Sequence, residues 1–244
     1  MMSVFYSSKG IVISKIKYKE TSYILKIFTE KFGLISVIVH GARKSNSQYL
    51  GYFNIMNELH FDLIKSANSE IYLLKDADFI RFFLKNIPYK SQAYFYIVNE
   101  LVRKIYTDEY DIIYQLIIKY FESLIENKIR KIYIFWRFLA KFLQILGNPI
   151  FYDNCYLCGS KLTSKRFISK RGDGFVCEFC SQNNKAIKAI SSEATMIFEK
   201  FRNLGNVDLE IADNTIQEIN SIFLLHLKTH FHQDFNLTLL NELN

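Results

Sequence analysis

Gly10-Ile11-Val12-Ile13-Ser14-Lys15-Ile16-Lys17-Tyr18 opens apolar and then alternates isoleucine with polar residues. Tyr23-Ile24-Leu25-Lys26-Ile27-Phe28-Thr29 follows, Glu30-Lys31-Phe32-Gly33 reads as a turn, and Leu34-Ile35-Ser36-Val37-Ile38-Val39-His40 returns. A period of two puts one side of each run on a core and the other on solvent, so the runs predict strands, the last two as a hairpin. A loop or short helix is expected around Ser45 to Phe53. Two more β-rich runs follow, Leu59-His60-Phe61-Asp62-Leu63-Ile64 and Glu70-Ile71-Tyr72-Leu73-Leu74. Five short strands with a break after the third fit a small closed barrel of OB type. Periodicity alone does not separate it from an SH3-like barrel.

After Pro88 the period changes to that of helices. Tyr94, Val98, Leu101 and Ile105 share one face. Ile112/Ile113, Leu116/Ile117, Tyr120/Phe121 and Leu124 share another. A third helix is expected from Lys131 to Leu146, stopped by Gly147-Asn148-Pro149. Helices over Ser191 to Leu204, Asp213 to about Phe231 and Leu237 to Leu243 complete the chain. The organisation expected is α+β: residues 1–82 as a barrel domain, and 83–244 as a helical domain with an insert at about 150–188. The aromatic stripes read as core.

That insert holds the only four cysteines, Cys155-Tyr-Leu-Cys158 and Cys177-Glu-Phe-Cys180. Their spacing is C-x2-C-x18-C-x2-C, in which two tight turns aim two sulfurs each at one metal. Two disulfides are the alternative. The start, Met1 to Lys9, has no basic segment followed by a long apolar run, so a reducing cytoplasm is expected and a metal is favoured. Four thiolates fill a tetrahedral Zn2+ ion, which leaves no open position and makes the expected ion structural, one per chain.

The net charge is +7 and is unevenly placed. Residues 1–50 carry eight bases against Glu20 and Glu30, a net of +6; residues 155–188 carry seven against Asp173 and Glu178, a net of +5 before thiolates. Two basic regions favour a polyanionic partner, with solvated charge as the plainer alternative. The most apolar stretch, Ile129 to Leu146, is broken by Arg130, Lys131, Arg137 and Lys141, so no membrane span is expected.

The loop His40-Gly41-Ala42-Arg43-Lys44-Ser45-Asn46-Ser47-Gln48 leaves a strand with a glycine and two adjacent bases. Arg43 suits bidentate pairing with phosphate oxygens. Beside Tyr23, Tyr49 and Phe53 it fits a single-strand surface in which a basic groove meets aromatic platforms. His226 and His230 stand four apart on one predicted helix, a spacing that can bind a metal, but the pattern lacks the glutamate of metalloprotease helices, and packing or solvation is the expected role. No Gly-rich phosphate loop, Ser-His-Asp set or carboxylate pair stands out. Asp153 and Asp173 read as turn residues.

The chain resembles the RecO family of bacterial recombination mediators. The resemblance is carried by Gly10-Ile11-Val12-Ile13, Glu20-Thr21-Ser22, Phe28-Thr29 with Phe32-Gly33-Leu34-Ile35, and Gly41-Ala42-Arg43-Lys44 with Ser47. The helical region and the placement of the cysteine pairs extend it over essentially the whole length. It implies an OB-fold domain, a zinc-bearing helical domain, and no catalytic turnover. It also implies binding to single- and double-stranded DNA, annealing of complementary strands, and work with RecR, often RecF, and single-stranded DNA-binding protein to load RecA on gaps. On that basis Lys15, Lys17, Arg43 and Lys44 are expected to contact phosphate on the barrel. Lys165, Arg166, Lys170 and Arg171 are expected to form a second patch near the metal. A zinc-ribbon nucleic-acid-processing enzyme and a protein-interaction adaptor without DNA binding are the competing readings.

Overall fold

The computed structural model describes residues 3–66, 69–104, 107–126, 129–150, 154–162, 165–169, 171–172, 174–182, 187–202, 210–233 and 235. The expected helix at Leu237 to Leu243 lies outside them, as do Asp153, Lys170 and Asp173.

The first five strands are β1 (Ser3–Tyr18), β2 (Ser22–Thr29), β3 (Gly33–Val39), β4 (Asn57–Ser66) and β5 (Tyr72–Phe82). They close a barrel in the order β1-β2-β3-β5-β4. All neighbours are antiparallel except β3 and β5, whose parallel pairing at Val37–Tyr72 and Ile38–Leu73 closes the ring. This order is that of an OB barrel and settles the choice left open by periodicity.

β1 begins well before Gly10 because it serves both neighbours. Ser3 to Ile11 pair with β4, and Gly10 to Tyr18 pair with β2. Gly10 sits in both ladders, where a Cβ would stand 2.6 Å from Ile27 Cγ2 and 3.3 Å from the Phe28 carbonyl. Only glycine lets the two strands cross there. The sequence Ser7-Ser8-Lys9 before it has turn chemistry, which hid the first half of the strand. β5 likewise runs on past Leu74, with Asp76 and Asp78 exposed and Ala77 turned into the core. Val12, Leu25, Ile27, Val37, Val39, Leu59, Phe61 and Leu63 fill the barrel.

Helices α1 (Tyr89–Lys104) and α2 (Tyr110–Glu126) pack with the barrel in one compact unit, Met1–Ile125. Three contacts show why. Tyr110 packs against Gly33, 3.3 Å from where its Cβ would be. Buried Tyr114 donates its hydroxyl to Glu58 at 2.7 Å. Arg81 on β5 bridges Glu58 at 2.8 Å and Glu122 at 2.6 Å. Burial and the neighbouring Glu58 charge push the Tyr114 phenol well above its usual range, so it stays a donor.

The second unit, Glu126–Asn244, holds α3 (Lys131–Ile145), the cysteine insert, α5 (Ser192–Arg202) and α6 (Asp213–Phe231). The insert contains β6 (Phe167–Ser169), β7 (Phe175–Val176), α4 (Glu178–Gln182) and β8 (Ile187–Ala189), with β6 central in a three-stranded sheet. Trp136 on α3 donates to Asn220 on α6 at 2.8 Å in the core. Phe198 on α5 lies 6.2 Å from Phe223 on α6, centroid to centroid. Among the described residues no helix is long and apolar enough to cross a membrane.

Candidate metal centre and nucleic-acid interface

The sulfurs of Cys155, Cys158, Cys177 and Cys180 all lie within 4.8 Å of one another, and all four thiols are free. Cys158 Sγ and Cys177 Sγ are 3.8 Å apart, far beyond a disulfide bond. Tetrahedral thiolates at about 2.3 Å from a metal stand roughly 3.8 Å from each other, so the donor set fits a four-coordinate ion.

Local backbone makes this geometry. The Cys155 and Gly159 N–H groups donate to the Ser160 and Cys155 carbonyls at 2.7 and 2.9 Å, closing the first knuckle. The Cys177 N–H points at Cys155 Sγ, 3.4 Å away, linking the two pairs. Ser160 hydrogen bonding draws the Cys158 thiol down to about 6, whereas its bond with Cys158 pushes Cys180 up to about 12. Four thiols this close cannot all ionise unaided, and a divalent cation removes that conflict.

The insert is fastened to the helices on several sides. Phe175 lies 5.4 Å from Phe198 of α5. Gly172, at φ 79°, rests on α6, where a Cβ would come within 2.8 Å of Leu225 Cγ and 3.0 Å of Thr229 Oγ1. Thr229 also donates to the Arg171 carbonyl. The reading of the cysteines as a structural clamp fits these contacts.

On the barrel, the expected bases gather at one end. Lys15 and Lys17 pair in register with Leu25 and Tyr23 and share their side of the sheet. Lys15 Nζ stands 5.2 Å from the Tyr23 ring centroid and donates to Asn54 of the β3–β4 loop at 3.2 Å. Arg43 of that loop donates its backbone N–H to Thr21 at 2.9 Å and Nη1 to the Lys19 carbonyl at 3.0 Å. Lys17 and Lys44 are exposed. The loop and the β1–β2 turn are thus tied side by side. Phe53, expected as a stacking platform, is instead 2% exposed and belongs to the core. Tyr49 is half-buried and donates to Asp76 at 3.0 Å, which leaves Tyr23 as the ring nearest the bases.

The second basic patch divides. Arg166 is 6% exposed and paired with Glu199 at 3.5 Å, so it is a structural cation and not a surface contact. Arg166 stands just before β6, and its buried cation is met by Glu199 of α5, an acid that only the fold reveals. Lys165 is exposed and paired with Glu178 at 2.9 Å, and Arg171 is exposed. His226 is 1% exposed and donates Nε2–H to the Asn148 carbonyl at 2.9 Å, a packing role; burial lowers it to about 4.

A closed OB barrel joined to helices that carry a four-thiol centre defines the class of protein. Two family models cover it: Recombination protein O N terminal over residues 2–83, and Recombination protein O C terminal over residues 89–236. The chain belongs to the recombination protein O family and has a role in DNA repair. It is 22% identical to DNA repair protein RecO of Acetivibrio thermocellus over 95% of this chain and 94% of that protein. It is 27% identical to that of Mycoplasma mycoides, covering 93% and 90%, and 28% identical to that of Clostridium perfringens, covering 72% of each.

Proposed function

We propose that this chain is a cytoplasmic recombination mediator that binds single- and double-stranded DNA and anneals complementary strands without breaking a covalent bond. The observation that carries the reading is the cluster of Lys15, Lys17, Arg43 and Lys44 at one end of an OB barrel, with the Tyr23 ring among them. Two strands that must pair repel through their phosphates, and a basic surface that releases their counterions lowers that barrier. Lys165 and Arg171 add cations in the second unit.

Zn2+ held by Cys155, Cys158, Cys177 and Cys180 would cross-link the two knuckles and stabilise the insert. A filled thiolate shell has no position for water or substrate, which supports a structural role. By family resemblance the partners are RecR, often RecF, and single-stranded DNA-binding protein, with RecA loaded on gapped DNA as the outcome.

A strand-annealing assay on complementary oligonucleotides tests the function. Faster duplex formation with intact strands is expected. Cleavage products would favour an enzyme, and no binding at all would favour a protein-interaction adaptor.

A further inference from the structure

The cysteine knuckles carry an apolar tip. Tyr156 and Leu157 lie between the first two cysteines and Phe179 between the second two, and they are 57%, 51% and 73% exposed. Residues this apolar on so small an insert, otherwise packed onto α5 and α6, call for a partner.

Tyr156 is held in place. Its N–H donates to the Phe175 carbonyl at 2.9 Å, and its ring lies on Gly174, where a Cβ would come within 3.0 to 3.3 Å of the Tyr156 side chain. One face of the ring is therefore seated on backbone while the residue remains more than half exposed. Phe179 projects from α4 beside Glu178, whose carboxylate holds Lys165 Nζ at 2.9 Å. Exposed Lys161 stands at the base of the first knuckle, bridged to Asn154. One exposed ring seated on backbone, a second exposed ring on the other knuckle and lysines on the same insert are elements that take unpaired bases, the rings by stacking and the lysines by pairing with phosphate.

We propose that Tyr156 and Phe179 form a stacking site for unpaired bases of a single strand, with Lys161 and Lys165 holding its phosphates. The site rests on the DNA-binding reading above and gives it a second, base-dependent contact far in sequence from the barrel loop. In a duplex the bases are stacked on each other and their faces are closed to these rings, so the site selects single strands.

Binding of the full-length, metal-loaded protein to three probes tests this: an oligo-dT strand, a strand of the same length made of abasic sites, and a blunt duplex. Wild type should bind oligo-dT about five-fold or more tighter than the abasic strand. Phe179→Ala with Tyr156→Ala should narrow that difference several-fold, to what the Tyr23 ring still contributes, while keeping its metal, its abasic-strand and its duplex affinity. Phe179→Tyr should keep the difference. Equal loss on oligo-dT and abasic strands, or no loss on either, overturns the stacking site. A wild type that binds none of the three probes overturns the DNA-binding reading itself, a distinct outcome.

Discussion

Arg43 Nη1 donates to the Lys19 carbonyl at 3.0 Å, so a base expected to face only phosphate also ties the β3–β4 loop to the β1–β2 turn. A guanidinium has five N–H donors, and one bond to a carbonyl leaves others for a phosphate. Arg43→Ala should therefore act twice. It should weaken DNA binding and reduce the slope of log affinity against log salt by about 0.7 to 0.9, the value of one phosphate contact. It should also lower stability by about 1 kcal/mol through the lost hydrogen bond. Lys44→Ala should change the slope with stability unchanged. Fluorescence anisotropy across a salt series and urea unfolding separate the two effects; an unchanged slope when Arg43→Ala and Lys44→Ala are combined would sink the loop assignment.

Gly10 is required by space, since its place in two ladders brings Ile27 Cγ2 to 2.6 Å from a would-be Cβ. Gly10→Ala should force the strands apart and cost about 1–3 kcal/mol. Thermal unfolding checks it, and a loss under about 0.5 kcal/mol would show that the crossing relaxes freely.

Glu58 is buried on β4 and depends on Arg81 and Tyr114 for its partners. Arg81→Met would leave that carboxylate without its cation. A buried pair broken on one side costs about 3–5 kcal/mol, and the 40% exposure of the Arg81 side chain reduces the expectation to about 1–3 kcal/mol. Adding Glu58→Gln should restore part of the loss. Urea denaturation of the two single variants and the pair measures the coupling; strictly additive losses would mean the ion pair does not matter to the unit.

The metal centre predicts an ordered response. Cys155 is buried and its sulfur faces the Cys177 N–H, whereas Cys158 is exposed. Cys155→Ser should abolish metal binding and lower the melting temperature of the second unit first. Metal content by atomic spectroscopy, read beside circular dichroism, tests this. Annealing lost with metal and fold intact would refute the clamp role.

The barrel was legible because every second residue of β3 is buried, a clean period of two, and β2 before it is a short run rich in β-branched and aromatic residues. The metal centre was legible because its four ligands are consecutive motifs needing no tertiary information. What stayed hidden is what pairing distant segments decides. Arg166 looks like any surface base until Glu199 and the Phe175 ring are placed beside it. Phe53 looks like a platform until the barrel closes over it. The first half of β1 was masked by Ser7-Ser8-Lys9, whose turn chemistry yields to pairing with β4.

His226 gives the fold a pH dependence whose sign follows from burial. Removal from water favours the neutral imidazole and lowers it from 6.5 to about 4; the Asn148 carbonyl acts in the opposite direction, and nearby His230 lowers it further. Between those values the unfolded chain binds a proton that the folded chain refuses. Stability is then fully present above pH 6.5 and falls as the pH drops towards 4. The total is on the order of 1–3 kcal/mol, since one pKa unit corresponds to about 1.4 kcal/mol. Urea unfolding at pH 7.5 and pH 5 should show the second unit weakening at the lower pH. His226→Gln, which cannot titrate, should flatten the difference; if the variant keeps the full pH dependence, other groups carry it and His226 is only packing.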